Sequence, residues 1–337
     1  MKTKKTHREF MNISNSPISY VGEDAKAGTK GATFRVKSPF RISVINDEVS
    51  QNFERSCGII SNEFGMEFIE LRGMWNKSIL TLDANEIYEA RRILRRYDLR
   101  VTDVCSPLFK VDWPGAPRSR YVSRQDNLTA GYTYEQQDEV LERSIEVAKI
   151  FGTDRVRFFD FWRIDDQAPY RAAINQKLLE TAEKAGKSGI TLMLENEFAC
   201  NTATGVEAAR VMNEVQSPHL MLLWDPANAA MHGEKAFPEG YELLPKNRIA
   251  HCHCKDVMKS MRNGETDWTA VGNGRVDWIG QFRALKRDGY RQATSLETRW
   301  RGAGTAEMST RQSWRGMQAS LQEAGALTYS VSKMIWD

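Results

Sequence analysis

Two rhythms of apolar positions alternate along this chain. Short runs rich in β-branched, Leu and aromatic residues recur as "RISVIND" (41–47), "EFIELRG" (67–73), "RVTDVCS" (100–106) and "RVRFFDFW" (155–162). "ITLMLENE" (190–197), "LMLLWDPAN" (220–228), "IAHCHCKD" (249–256) and "ATSLETRW" (293–300) continue the series. Each has the length and composition of a buried strand. Between them the spacing changes to that of amphipathic helices. "ANEIYEARRILRRYD" (84–98) puts Ile87, Ala90, Ile93 and Leu94 on one stripe, and "QDEVLERSIEVAKIFG" (137–152) does so with Leu141, Ile145, Ala148 and Phe151. "NQKLLETAEKAGKSG", "TGVEAARVMNEVQ", "DWIGQFRALKRDG" and "TRQSWRGMQASLQEAG" follow, several ending in the Gly that stops a helix. Eight strands alternating with helices over about 290 residues predict an α/β fold, a closed (β/α)8 TIM barrel. A doubly wound sheet fits less well. It usually has fewer strands, and no "GxGxxG" follows strand one; the nearest match, "GNGRVD" (272–277), precedes the seventh helix. Residues 1–38 have no period and many Gly, Ser, Lys and Thr. They read as an N-terminal extension to a single barrel domain over 39–337.

Composition narrows the classes. With 41% hydrophobic and 27% charged residues and a net charge of +3, the chain has ordinary globular composition and no reason to seek nucleic acid or an anionic membrane. The polar start lacks a signal-peptide core, and no window approaches the roughly 18 apolar residues of a membrane span. Five scattered cysteines suggest reduced thiols and a cytoplasmic location rather than a disulfide framework.

Candidate chemistry gathers at strand ends, where a barrel builds its active site. Strand five offers Glu195, strand six Asp225, strand seven His253 and strand eight Glu297, at successive gaps of 30, 28 and 44 residues. A lone acid at such a place is more often a helix cap or an ion-pair partner. Four on consecutive strands converge on one point. Three carboxylates and an imidazole suit one divalent metal ion: Mn²⁺ foremost, then Mg²⁺ or Co²⁺, with Zn²⁺ admitted though less favoured by this set. In "HCHC" side chains alternate between faces, so His251 and His253 point into the barrel, and Cys252 and Cys254 pack outward under helices. The four cannot chelate one ion. His253 lies nearer the rim, and His251 is a supporting or core residue.

The ordered set "LENE", "WDPAN", "HCHCKD", "GNGRVDW" and "GYRQATSLE" resembles the xylose isomerase-like TIM barrels, the sugar phosphate isomerase/epimerase superfamily, over about residues 40–326. That superfamily includes ketose 3-epimerases and inosose dehydratases. The resemblance implies that Glu195, Asp225, His253 and Glu297 bind one divalent metal. It also implies that Glu195 and Glu297 are the catalytic pair, one removing a proton next to a carbonyl and the other returning it through an enediolate. The substrate-orienting positions differ from the ketose epimerases. Asn201 stands where they carry a second Glu, Asn228 where they carry His, Lys259 where they carry Arg, and Glu197 where several relatives carry His.

Substrate-binding candidates are Arg157 and Trp162 on strand four, with Asp160 and Arg163 beside them, Glu197 and Asn228 near the proposed ligands, Lys255, and Arg299. Each has an ordinary structural competitor, whether a rim salt bridge or an aromatic packed under a loop. The long segment 109–135, with Trp113, Tyr121 and Tyr132, reads as a lid or a partner surface. The leading expectation is an isomerase or epimerase acting on a sugar or keto-sugar. Second comes a lyase that β-eliminates a 3-keto-glycoside. Third is a non-catalytic or structural metal-binding barrel subunit; under any reading the chain is open to a homo-oligomer or to a hetero-complex with a small partner subunit, the latter also with the lyase.

Overall fold

All eight apolar runs become strands in the computed structural model, which describes residues 34–120, 131–259 and 264–331. They are β1 (Arg41–Val44), β2 (Phe68–Leu71), β3 (Arg100–Cys105) and β4 (Arg155–Phe158), then β5 (Thr191–Glu195), β6 (Leu220–Trp224), β7 (Ile249–Cys254) and β8 (Ala293–Leu296). Their order is β1-β8-β7-β6-β5-β4-β3-β2, with every pairing parallel. The ring closes where Ile45, just past β1, bridges Glu70 in β2. This is the expected (β/α)8 barrel. The strands are shorter than the apolar runs because each run's last residues turn out of the sheet and over the barrel mouth.

Helices cover the outside. Ala84–Arg96 begins in a capping box between Asp83 and Glu86, and Gln137–Phe151 stops at Gly152 in the left-handed conformation, φ 73°. Arg171–Gly186, Gly205–Glu214, Trp278–Arg287 and Ala306–Glu323 complete the long helices. Side chains at Asn52, Asp83, Thr204, Asp225, Asp277 and Thr305 accept backbone N–H bonds at helix starts, which fixes where each loop leaves the mouth. Cys252 and Cys254 are buried in the layer between barrel and helices, as their parity required. All five cysteines are buried and free.

Several elements were not predicted. After β1 the chain makes two short helices, Asn46–Val49 and Phe53–Gly58, and after β6 a third, Pro226–Met231. A hairpin, Asp256–Lys259 with Thr266–Thr269, leaves β7 and folds over the mouth. Phe34–Lys37, within the predicted extension, pairs antiparallel with Thr328–Val331. The rest of that extension, 1–33, and the middle of the 109–135 segment lie outside the described residues. Among the described residues no helix is long and apolar enough to cross a membrane.

Candidate metal centre

Four strand ends deliver the predicted ligands. Glu195 closes β5 and His253 lies within β7. Asp225 follows β6 and caps Pro226–Met231, accepting from Asn228 N at 2.9 Å. Glu297 follows β8, where its N–H donates to Cys254 O at 3.0 Å. One donor atom from each of these four buried side chains lies within 4.8 Å of the others. The N–H of Asp225 donates to Asn196 Oδ1 at 2.7 Å, and the Asn196 amide donates to Asp225 O at 2.8 Å. That reciprocal pair locks the ends of β5 and β6 in register.

His253 faces two ways. Its Nε2 is 2.9 Å from Glu70 Oε1, while Nδ1 lies 3.2 Å from Glu195 Oε1, 3.3 Å from Glu297 Oε2 and 3.8 Å from Asp225 Oδ2. A carboxylate behind a histidine fixes its tautomer and aims the other nitrogen at a metal. Below lies His251, with Nε2 2.8 Å from Ser295 Oγ and 3.1 Å from Glu70 Oε2, and Nδ1 3.4 Å from Asp103 Oδ1. It supports the layer above, as its depth implied.

Cations surround the carboxylates. Lys255 Nζ is 2.7 Å from Glu297 Oε2 and 2.8 Å from Asp225 Oδ2. Arg157 Nη1 is 3.3 Å from Glu195 Oε2, and Arg72 Nη1 donates to Glu297 Oε1 at 3.0 Å. Arg72 also binds Asp47 and Glu48 at 3.0 and 2.5 Å. Burial raises every carboxyl here, and the cations decide which are held down. His253 and Arg157 outweigh burial at Glu195 and keep it at about 2. Lys255 and His253 hold Glu297 well below its ordinary value. Asp225 is pushed up to about 7, because burial and its two acidic neighbours exceed the help from Lys255. Against burial, Glu70 and Glu195 raise the His253 imidazole well above its usual range.

A divalent cation fits this donor set. Glu195 Oε2 and Asp225 Oδ2 are buried without an aligned hydrogen-bond donor, each met only by one cation, Arg157 at 3.3 Å and Lys255 at 2.8 Å. Buried acceptors left this way are costly unless an ion satisfies them. Three carboxylate oxygens and an imidazole nitrogen are the chemistry of a hard or borderline divalent ion.

The other predicted residues divide. Asn228 Nδ2 donates to Glu195 Oε1 at 3.3 Å, and Glu197 is buried among the charges of Lys255 and Arg299. Arg299 lies 5.6 Å from the centre of the Trp268 ring. Trp162 packs on Phe159 and Cys200 and lines a cavity of about 590 Å³ together with Lys110, Trp113, Tyr132 and Tyr134. Asp160 and Arg163 have other partners. Asp160 is buried and tied to Thr202 and Arg171, and Arg163 is tied to Glu207. Sequence reasoning missed Glu70, Arg72, Asp103 and Trp268. A charged residue interrupting an apolar strand at inward parity was the available signal for Glu70 and Asp103.

The comparisons agree with this fold. The profile of the xylose isomerase-like TIM barrel family matches residues 60–322. SgbU of Escherichia coli strain K12, provisionally named an L-ribulose-5-phosphate 3-epimerase, is 22% identical over 254 residues, 68% of this chain and 87% of its own. AsbF of Bacillus anthracis, provisionally a 3-DHS dehydratase in petrobactin synthesis, superposes with TM-score 0.60 at 16% identity, covering 81% of this chain and 97% of its own. A xylose isomerase-like barrel from Mycobacterium smegmatis, solved with magnesium, gives TM-score 0.60 at 15% identity, covering 85% and 98%. With its eight-stranded barrel and a family match over most of its length, the chain belongs to the xylose isomerase-like TIM barrel family.

Proposed function

We propose that this barrel is an enzyme that moves a proton next to the carbonyl of a sugar or keto-sugar, with isomerisation or epimerisation as the outcome. The observation that carries this reading is the convergence of Glu195, Asp225, His253 and Glu297 within 4.8 Å at the mouth, ringed by cations. Glu195, Asp225, His253 and Glu297 would hold one divalent ion, Mn²⁺ by preference, which supplies Lewis acidity where negative charge develops on a carbonyl oxygen. Glu195 and Glu297 come from the two outer strands of the ligand group, so they flank whatever binds between them. One takes the proton and the other returns it. Both carboxyls are held ionised by neighbouring cations, which leaves either one able to accept a proton but makes it a weaker base than a free carboxylate. Asn228 and Arg157 keep Glu195 oriented, and Arg72 does the same for Glu297. The relatives' names, an epimerase and a dehydratase, support proton abstraction beside a carbonyl as the shared step.

A second reading, β-elimination of a 3-keto-glycoside through the same first step, draws on the cavity. Its 590 Å³ beside Trp162 has room for an aglycone. Phe159 joins it to the ligand group, with Arg157 and Lys110 lying 4.8 and 4.5 Å from its ring centre.

The test uses the purified chain with Mn²⁺ in D₂O and a panel of ketoses and 3-keto-glycosides, followed by proton NMR. Deuterium entering the carbon next to the carbonyl is expected, with new epimer or released aglycone telling the two readings apart. Glu195→Gln and Glu297→Gln should each slow exchange by 10²-fold or more. Full exchange in both variants would remove the mechanism.

A further inference from the structure

Lys255 occupies an unusual place. It is a fully buried lysine, 1% exposed, on the residue after β7. Its Nζ sits 2.7 Å from Glu297 Oε2, 2.8 Å from Asp225 Oδ2 and 3.9 Å from Glu195 Oε1. These oxygens belong to three of the four proposed metal ligands. A divalent cation would stand about 2.0–2.6 Å from the same oxygens. The ammonium and the ion therefore claim overlapping positions, and their charges repel. One must leave when the other is present.

The lysine has somewhere to go. Its other neighbour is the Trp268 ring on the hairpin over the mouth, 5.2 Å from Nζ to the ring centre. Phe198 backs that ring at 5.8 Å, Arg299 lies on it, and the charge of Glu197 also acts on Lys255. An aromatic face and a carboxylate at the rim make a second seat for an ammonium on a flexible stem.

We propose that Lys255 is a displaceable counter-ion: it holds the buried carboxylates together before metal binds, and metal binding drives its ammonium to the Trp268 rim, where it positions the substrate. This rests on the metal reading above. Metal loading and substrate capture are thereby linked, because the rim cation is supplied only after the ion is in place. Removing the charge opens the ion's position and leaves three crowded carboxylates uncompensated until metal arrives.

Titration calorimetry of the metal-depleted full chain with Mn²⁺ tests this. Lys255→Met should bind Mn²⁺ at least 10-fold more tightly than the parent. A parent protein that binds Mn²⁺ with the affinity of Lys255→Met, within twofold, would overturn the displacement. Acetylation of the unaltered protein, mapped by mass spectrometry, gives a readout that needs no variant. Lys255 should be shielded without metal and modified severalfold faster with Mn²⁺. Equal labelling in both states also overturns the proposal. If neither protein binds Mn²⁺, the metal reading itself fails and this inference goes with it.

Discussion

Glu70 shows what a single buried side chain contributes to the centre. It sits inside β2, opposite the ligand strands, and its two oxygens reach Nε2 of both His253 and His251. Burial opposes its charge, yet the two imidazoles hold it ionised well below the ordinary range. With Nε2 of His253 committed to Glu70, Nδ1 is the nitrogen left to face the three carboxylates. Glu70→Ala is expected to lower metal affinity 10–100-fold while Glu195, Asp225 and Glu297 remain intact. Calorimetric titration with Mn²⁺ checks this, and an unchanged affinity would mean that Nδ1 does not need the carboxylate behind it. The four candidate ligands were readable in the sequence as a group because each lies at or near the end of an apolar run on consecutive strands. Glu70 and Asp103 left only a charge at inward parity within an apolar strand, and Arg72 left no signal. They come from the opposite half of the barrel, and only ring closure between Ile45 and Glu70 brings them under the site.

At the scale of elements, long periodic segments were legible and short ones were not. Asn46–Val49 is a single turn, too brief to show a 3.6-residue period, yet it carries Asp47 and Glu48 into contact with Arg72. The pairing of Phe34–Lys37 with Thr328–Val331 joins the two described extremes of the chain, which no local pattern announces. The "GNGRVD" stretch, weak as a nucleotide signal, has a structural explanation. Asp256 Oδ2 accepts from Gly272 N and Gly274 N, and Oδ1 from Val276 N. A Cβ on Gly274 would fall 2.1 Å from Asp256 Oδ1, so the loop needs glycine there to approach the carboxylate. This clamp anchors the base of the hairpin that carries Trp268.

The Arg72 junction between Asn46–Val49, β2 and β8 has a pH signature. Burial raises Glu48, but Arg72 and Arg301 outweigh it and hold the carboxyl at about 2 instead of 4.5. The folded state therefore favours ionised Glu48. Its stabilisation is complete above pH 4.5 and is lost as the pH falls from there toward 2. A shift of that size corresponds to roughly 3 kcal/mol. Glu48→Gln should thus be clearly less stable than the parent at pH 6, with the gap narrowing as both are melted at progressively lower pH down to 3. A gap that stays constant over that range would show that Arg72 and Arg301 do not stabilise the charge.

Across the whole molecule, the closed barrel concentrates charge where it harms stability and serves binding. Asp225 is the proposed ligand that bears most of this conflict, pushed from 3.8 up to about 7 by burial and by Glu195 and Glu297. An acid raised in the fold destabilises it increasingly as pH climbs from the ordinary value through the raised one, and the full cost is present above about 7. Asp225→Asn removes that cost and keeps the cap on Pro226–Met231, because Asn accepts the Asn228 N–H as well as Asp does. At pH 8 without metal, the variant is expected to melt above the parent. Metal should reverse the order. At a hundredfold excess over its Kd a bound ion adds about 2.7 kcal/mol. With about 2.1 cal/mol/K of unfolding entropy per residue, a chain of 337 residues gains roughly 4 °C. The parent should show that rise with Mn²⁺ and lose it with a chelator, whereas Asp225→Asn, deprived of one ligand oxygen's charge, should show little of it. Equal Mn²⁺ shifts in the two proteins would remove Asp225 from the centre. A metal-free variant melting below its parent would mean that the ring of cations, Lys255 foremost, had already neutralised the site in full.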